Sequence, residues 1–330
     1  MHVGLTYDLA EDWAGEGLDA EDLAEFDAPE TIDAVADFLC RSGHRVMRIG
    51  RAQALVPLLA KGERWDLVFN ICEGARGAGR EALVPALLDA YAIPCVFSDP
   101  LVLALALHKG HTKRLLRDAG LPTAPFVVLG SSTDQVGLPF PLFVKPVAEG
   151  TGKGIGAASL CRDKIELRSA VARLTARFGQ EVLAETYLPG REFTVGVLGS
   201  GAHARIIGVM EIITDATYGF DTKKHYRDHV SYRLVEDAEA IAAGDAALAA
   251  WRVIGGRDGG RIDLKSNTEG QPMLLEVNPL AGLHPIDSDL VILARLAGHS
   301  YDWLLGEIFA AACERIGLPW HGRHERFAAD

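Results

Sequence analysis

Four short apolar runs in the first hundred residues, HVGLTY, HRVMRI, DLVFNI and IPCVF, have the length and composition of strands. They alternate with helical stretches at about 28–42, 52–61 and 80–92, an order that predicts a parallel sheet covered by helices. Ser98-Asp99-Pro100 combines a helix N-cap with a proline suited to the first turn, so this α/β unit is expected to occupy 1–100. Next, ALALHKGHTKRLLRDAG reads as one helix ending at Gly120. APFVVL and PLFVKPV read as strands, and 162–178 as a helix after a glycine-rich stretch. These form a smaller α+β unit over 101–183. A third unit over 184–330 holds the strands LAETY, EFTVGVLG and ARIIGVMEI, a polar loop TDATYGFDTKKHYRDHVSY and a helix near 236–254. Paired strands GRIDLKS and MLLEVN follow, and a closing helix is expected to pack on this third unit.

With 330 residues, 48% of them hydrophobic, the chain can bury several cores, which excludes a disordered or fibrous protein. The five cysteines are odd in number, scattered and without a CxxC pair, so neither a disulfide framework nor a zinc cage is indicated. No apolar run approaches the roughly 20 residues a bilayer requires, and the N-terminus lacks a signal peptide's basic and apolar blocks. A soluble, cytoplasmic protein without membrane partners is expected. A formal charge of −12 argues against a nucleic-acid surface, which needs clustered Lys and Arg. The acidic run from Glu11 to Glu25 reads as a solvated face without chemistry.

Glu276 and Asn278 stand two apart in MLLEVN, so the strand period puts both on one face, and Asp263 on the probable partner strand can face them. Such an oxygen set suits Mg2+ shared with phosphate oxygens, with Mn2+ as the alternative ion; equally, it is the solvent side of a half-exposed hairpin. Arg261 shares the face of Asp263, where it either binds an anion or forms a salt bridge to Asp263 or Glu276. Lys145 ends an apolar run and must leave the core or meet a charge, for which a phosphate is suitable. Downstream, AEGTGKGIG offers a backbone able to approach phosphates or simply to turn. A Walker A loop is excluded because Gly152-Lys153-Gly154 lacks the hydroxyl residue, and the dinucleotide pattern at Gly152 opens no convincing helix. Neither HExxH nor GxSxG is present.

Taken in order, Lys109, VKPVAEGTGKGI, AETYLPGREFTVGVLG, YGFDTKK, GGRIDL and LLEVNPLAGLHP resemble the ATP-grasp superfamily, specifically the D-alanine:D-alanine ligase family, from about residue 65 to 310. The resemblance implies an ATP-grasp fold, in which a Rossmann-like parallel-sheet domain precedes two α+β units that clamp ATP. It implies a carboxylate–amine ligase acting through an acyl-phosphate on amino-acid or dipeptide substrates, with two Mg2+ ions, as a homodimer. Position by position, Lys109 and Lys145 become ATP phosphate ligands, and Glu149, Gly150, Thr151, Lys153 and Gly154 a mobile flap above them. Glu185, Tyr187 and Leu188 match the adenine segment, and Glu192 the ribose carboxylate. Lys223 matches a phosphate-contacting lysine; Asp263, Glu276 and Asn278 match the metal ligands. Arg261 and the Gly282 backbone N–H match the groups that stabilise the tetrahedral intermediate.

Departures from the family lie on the substrate side. No residue aligns firmly with the N-terminal glutamate that binds the first substrate's ammonium, Asp8 and Glu11 being the candidates. Glu73 stands where the family has histidine, Lys224 where it has tyrosine, and Thr151-Gly152-Lys153 where serines are usual. Glu73, Lys224 and Ser288 are thus the expected substrate contacts. These exchanges suggest a related ligase with an altered, more cationic amino-acid substrate. The competing expectations are an authentic D-alanine:D-alanine ligase, a silent nucleotide or amino-acid binder, and a kinase that stops after phosphoryl transfer.

Overall fold

The computed structural model describes residues 1–214 and 230–320. Strands β1 (His2–Thr6), β2 (Arg45–Arg48) and β3 (Leu67–Asn70) form a parallel sheet in the order β2-β1-β3. Helices Pro29–Arg41 and Ala52–Ala60 make the crossovers, the first opened by a proline whose missing N–H costs nothing there. IPCVF forms only one bridge, Cys95 beside Val68. Phe97 takes a left-handed φ of 73°, and its N–H donates to the Asp258 carboxylate at 2.8 Å, which turns the chain out of the sheet.

Asp99 caps the next helix by accepting from the Val102 N–H, as expected of Ser98-Asp99-Pro100. The single helix expected to end at Gly120 is two, Pro100–Leu107 and Lys109–Asp118. The break is at His108, whose ring accepts from the His111 N–H, while the Lys109 N–H is drawn off to the Val147 carbonyl at 2.9 Å.

Strands β4 (Phe126–Leu129), β5 (Leu142–Pro146), β6 (Leu160–Cys161) and β7 (Val182–Thr186) form an antiparallel sheet in the order β4-β7-β5-β6. Helix Lys164–Phe178 covers it, capped by Asp163 and stopped by left-handed Gly179. A second antiparallel sheet contains β8 (Glu192–Leu198), β9 (Arg205–Thr214), β10 (Val230–Leu234), β11 (Gly259–Ser266) and β12 (Pro272–Asn278), ordered β10-β9-β8-β11-β12. β10 therefore begins within the segment read as a polar loop; its Ser231 and Arg233 are exposed, which masks the strand in the sequence. Residues 215–229 of that segment, with the expected sites Lys223 and Lys224, lie outside the described residues.

Helix Tyr301–Ile316 does not pack on the third unit alone. Its Leu304, Leu305, Ile308 and Phe309 share a core with Val3, Leu5, Val35, Phe38 and Phe69, and the Phe309 ring stacks 6.5 Å from that of Phe69. The apolar face of β1 and β3 would otherwise be left uncovered, so the last described helix closes the first sheet.

Candidate active site

The register of β11 and β12 sets one wall. Asp263 pairs with Glu276 and Arg261 with Asn278, so four polar side chains that the strand period places on one face are brought together in two rows. Asp263 is held from several sides. One carboxylate oxygen accepts the Thr194 hydroxyl at 2.8 Å; the other accepts the Asn278 amide at 3.1 Å and a short contact from Arg261. Arg261 also faces Asp289 at 3.8 Å, and although burial alone would lower its pKa, the surrounding carboxylates raise it. Its salt bridge to Asp263, one of the alternatives open from the sequence, is formed here.

The opposite wall comes from the other antiparallel sheet. Lys145 on β5 lies 2.9 Å from Glu185 on β7, and the other Glu185 oxygen lies 2.8 Å from Lys113. Burial pushes the Glu185 carboxyl up, but the two ammonium charges win and bring it to about 2. No motif in the sequence assigns Lys113 a role. Its spacing of four from Lys109 was the available signal, since it puts both lysines on one helix face. Lys109 joins the walls, 3.1 Å from Glu276 and donating to the Glu149 carbonyl at 2.5 Å.

Two clefts meet at these groups. The first, about 730 Å³, lies between the antiparallel sheets and is lined by Lys109, Lys145, Glu149, Lys153, Glu185, Tyr187, Leu188, Glu192, Arg261, Asp263 and Glu276. Glu192 is paired there with Lys265 at 2.7 Å, so it is not an isolated carboxylate. The second, about 450 Å³, shares Lys109, Glu149, Arg261 and Glu276 and adds Glu73, Gly150, Thr151, Asn278, Gly282 and Ser288. The Ser288 hydroxyl accepts from the His284 N–H at 2.8 Å, and a Cβ on Gly282 would lie 2.9 Å from it, so this turn is packed against the second cleft.

Asp8 faces neither cleft: it is buried, accepting from the Trp13 ring N–H and the Gly74 N–H. Three carboxylates unassigned from sequence or placed only provisionally, Asp27, Glu73 and Glu81, line the second cleft instead. Burial, then the charges of Glu81, Glu25 and Asp27, raises the Glu73 carboxyl well above the ordinary range. Asp27 is raised to about 7 by burial and the Asp8 charge, and Glu81 to about 7 chiefly by burial.

The acidic run is solvated at Glu11, Asp12, Glu16 and Asp19, as expected, but its end is not. Glu25 is enclosed, with Lys153 at 2.7 Å and Arg80 at 3.0 Å, and Glu21 accepts from the Gly154 N–H at 2.9 Å. The run's composition hides this, because the partners of Glu25, Arg80 and Lys153, lie 55 and 128 residues away.

Residues 115–310 match the family model described as D-ala D-ala ligase C-terminus. A D-alanine–D-alanine ligase of Bordetella pertussis is 36% identical over 81% of this chain and 84% of its own length. The ATP complex of the Bacillus anthracis D-alanine–D-alanine ligase superposes with a TM-score of 0.73 at 21% identity, covering 96% of this chain and 98% of that one. The VanG D-Ala:D-Ser ligase of Enterococcus faecalis gives 0.73 at 18% identity, over 94% and 99%. Fold and relatives define an ATP-dependent ligase with the ATP-grasp architecture. The chain belongs to the D-alanine–D-alanine ligase family.

Among the described residues no helix is long and apolar enough to cross a membrane.

Proposed function

We propose that this ligase phosphorylates the carboxylate of one amino acid and joins it to the amine of a second amino acid or dipeptide, and that its first substrate carries a cationic side group. The observation that supports this most is the junction of the two clefts at Lys109, Arg261 and Glu276. A nucleotide in the larger cleft and an amino acid in the smaller one would meet there.

Carboxylate attack on a phosphoryl group brings anions together, and catalysis consists mainly of positioning and charge neutralisation. Lys109 and Lys145 would hold phosphate oxygens, and each faces a carboxylate that orients it, Glu276 at 3.1 Å and Glu185 at 2.9 Å. Asp263, Glu276 and Asn278 would hold Mg2+ or Mn2+. Two carboxylates and an amide on adjacent strands are hard oxygen donors that leave positions for phosphate, as Mg2+ prefers. When bound, the ions neutralise charge on the transferred phosphoryl group. Arg261, together with the Gly282 N–H, then stabilises the oxyanion formed as the amine adds to the acyl-phosphate. Tyr187, Leu188 and Glu192 also line the larger cleft, and adenine and ribose would lie against them.

The cationic preference is supported by the grouping of Asp27, Glu73 and Glu81 around the smaller cleft, three carboxylates raised chiefly by burial and then by neighbouring carboxylates, beside which a substrate ammonium would be favoured. A second reading, D-alanine as both substrates, is favoured by the names of the relatives. ADP release across D- and L-amino acids, small dipeptides and amines, with product masses, separates the two. Full turnover on D-alanine alone sinks the cationic preference; no ADP from folded, ATP-binding protein sinks the ligase chemistry.

A further inference from the structure

The glycine-rich loop after β5 is held by the N-terminal segment through groups that are almost wholly enclosed. Lys153 Nζ lies 2.7 Å from Glu25 and 3.3 Å from Glu149, with Asp22 at 3.9 Å. Arg80 closes the ring: it donates to both Glu25 oxygens at 3.0 and 3.2 Å, and to the Ala148 carbonyl at 2.8 Å. The side chains of Glu25, Arg80 and Lys153 are 4%, 5% and 5% exposed. The backbone fits the same contact, since a Cβ on Gly150 would sit 2.3 Å from a Glu25 oxygen. One step further, the Glu149 carbonyl accepts Lys109 Nζ, which faces Glu276. A continuous chain of polar contacts thus runs from Glu25 to the wall of the reaction cleft.

We propose that Glu25 and Lys153 are positioning residues, a salt-bridge clasp that holds the 149–156 loop over the junction of the two clefts and keeps water from the acyl-phosphate. Lys153 then serves the loop rather than the nucleotide, its ammonium held between Glu25 of the N-terminal segment and Glu149 of the loop itself. The inference rests on the acyl-phosphate reading. If water reaches that intermediate, its oxygen adds to the carbonyl carbon, the carbon–oxygen bond to phosphate breaks, and inorganic phosphate leaves with the original carboxylate regenerated. ATP is consumed and no peptide bond forms. A clasp made by the protein itself would order the loop before any nucleotide arrives.

Two measurements on the full chain test this. In ligand-free protein, K153M and E25Q should each raise hydrogen exchange of the 150–156 amides by about tenfold or more, with K153R within about threefold of wild type. With ATP, MgCl2 and either D-alanine or D-lysine, K153M and E25Q should raise ADP formed per product by roughly fivefold, with the ATP KM changed less than about threefold. G150A, which removes no charge but wedges the loop from Glu25, should behave in the same way and covers the case in which K153M does not fold. Unchanged exchange in these variants overturns the proposal. So does an ATP KM about tenfold higher in K153M with ADP and product still equal, the signature of a lost phosphate contact. If wild-type protein makes no product, the acyl-phosphate reading falls, and the exchange measurement still decides whether the clasp exists.

Discussion

Lys113 and Glu185 form an ion pair at 2.8 Å with side chains only 1% and 2% exposed. The same ammonium donates to the Leu274 carbonyl at 2.8 Å, so one lysine links the two antiparallel sheets that bound the larger cleft. Its desolvation is offset only while both acceptors are present. K113M should therefore destabilise the protein by about 3–5 kcal/mol, the usual cost of leaving a buried charge with one partner fewer. Urea unfolding of purified protein measures it; a loss below about 1 kcal/mol would show the pair to be incidental.

Glu185 also fixes how the protein responds to acid. Its native pKa of about 2 lies below the usual 4.5, so the stabilisation it brings is present above that usual value and is lost as pH falls toward 2. Asp27 and Glu81 act with the opposite sign. Raised to about 7, they make the native state bind more protons than the unfolded chain between the ordinary carboxylate range and neutrality, so stability falls as pH rises through that window. The ligand-free Tm should peak near pH 5 and decline on both sides. D27N should flatten the neutral side, raising Tm at pH 8 by about 2 °C relative to wild type.

What the sequence made legible follows the range of the interactions. The strand period alone put Glu276 and Asn278 on one face, and the β11–β12 register then set Asp263 opposite Glu276. Asp99 and Pro100 marked a helix start from local chemistry alone. Glu25 reads as one charge in an acidic run because its meaning depends on Arg80 and Lys153, 55 and 128 residues on. His108 divides a continuous helical pattern because Val147, from a distant strand end, takes the Lys109 N–H. Helix Tyr301–Ile316 covers the first sheet because the core of β1 and β3 needs a second layer, a requirement no local periodicity expresses.

The wall proposed to hold the metal makes a separate prediction. Glu276 lies 3.1 Å from Lys109 and is partly exposed to the cleft, so truncating it removes an oxygen donor without opening the core. E276A and N278A should each reduce kcat by about a thousandfold or more while leaving Tm within about 3 °C of wild type. Turnover at the wild-type rate in either variant removes these residues from the metal site.

Glu73 provides the sharpest test of substrate choice. It follows β3 in the FNICEG segment and lines the smaller cleft with Asp27 and Glu81. Of the two arginines that follow it, Arg76 donates to the Glu16 carbonyl and Arg80 is committed to Glu25 and the Ala148 carbonyl. A substrate with a second ammonium group would supply the missing charge, and a charge-assisted hydrogen bond of that kind contributes about 1.5–3 kcal/mol. E73Q keeps the shape of the side chain and removes the carboxyl that could ionise against a bound ammonium. It should raise the KM for a diamino acid such as D-lysine by roughly tenfold or more, change that for D-alanine by less than about threefold, and leave the ATP KM unaltered. Equal losses on both amino acids would instead assign Glu73 to the α-ammonium that every amino acid carries. In that case the preference for a cationic side group must be abandoned, while the chemistry proposed at Lys109, Arg261 and Glu276 is untouched.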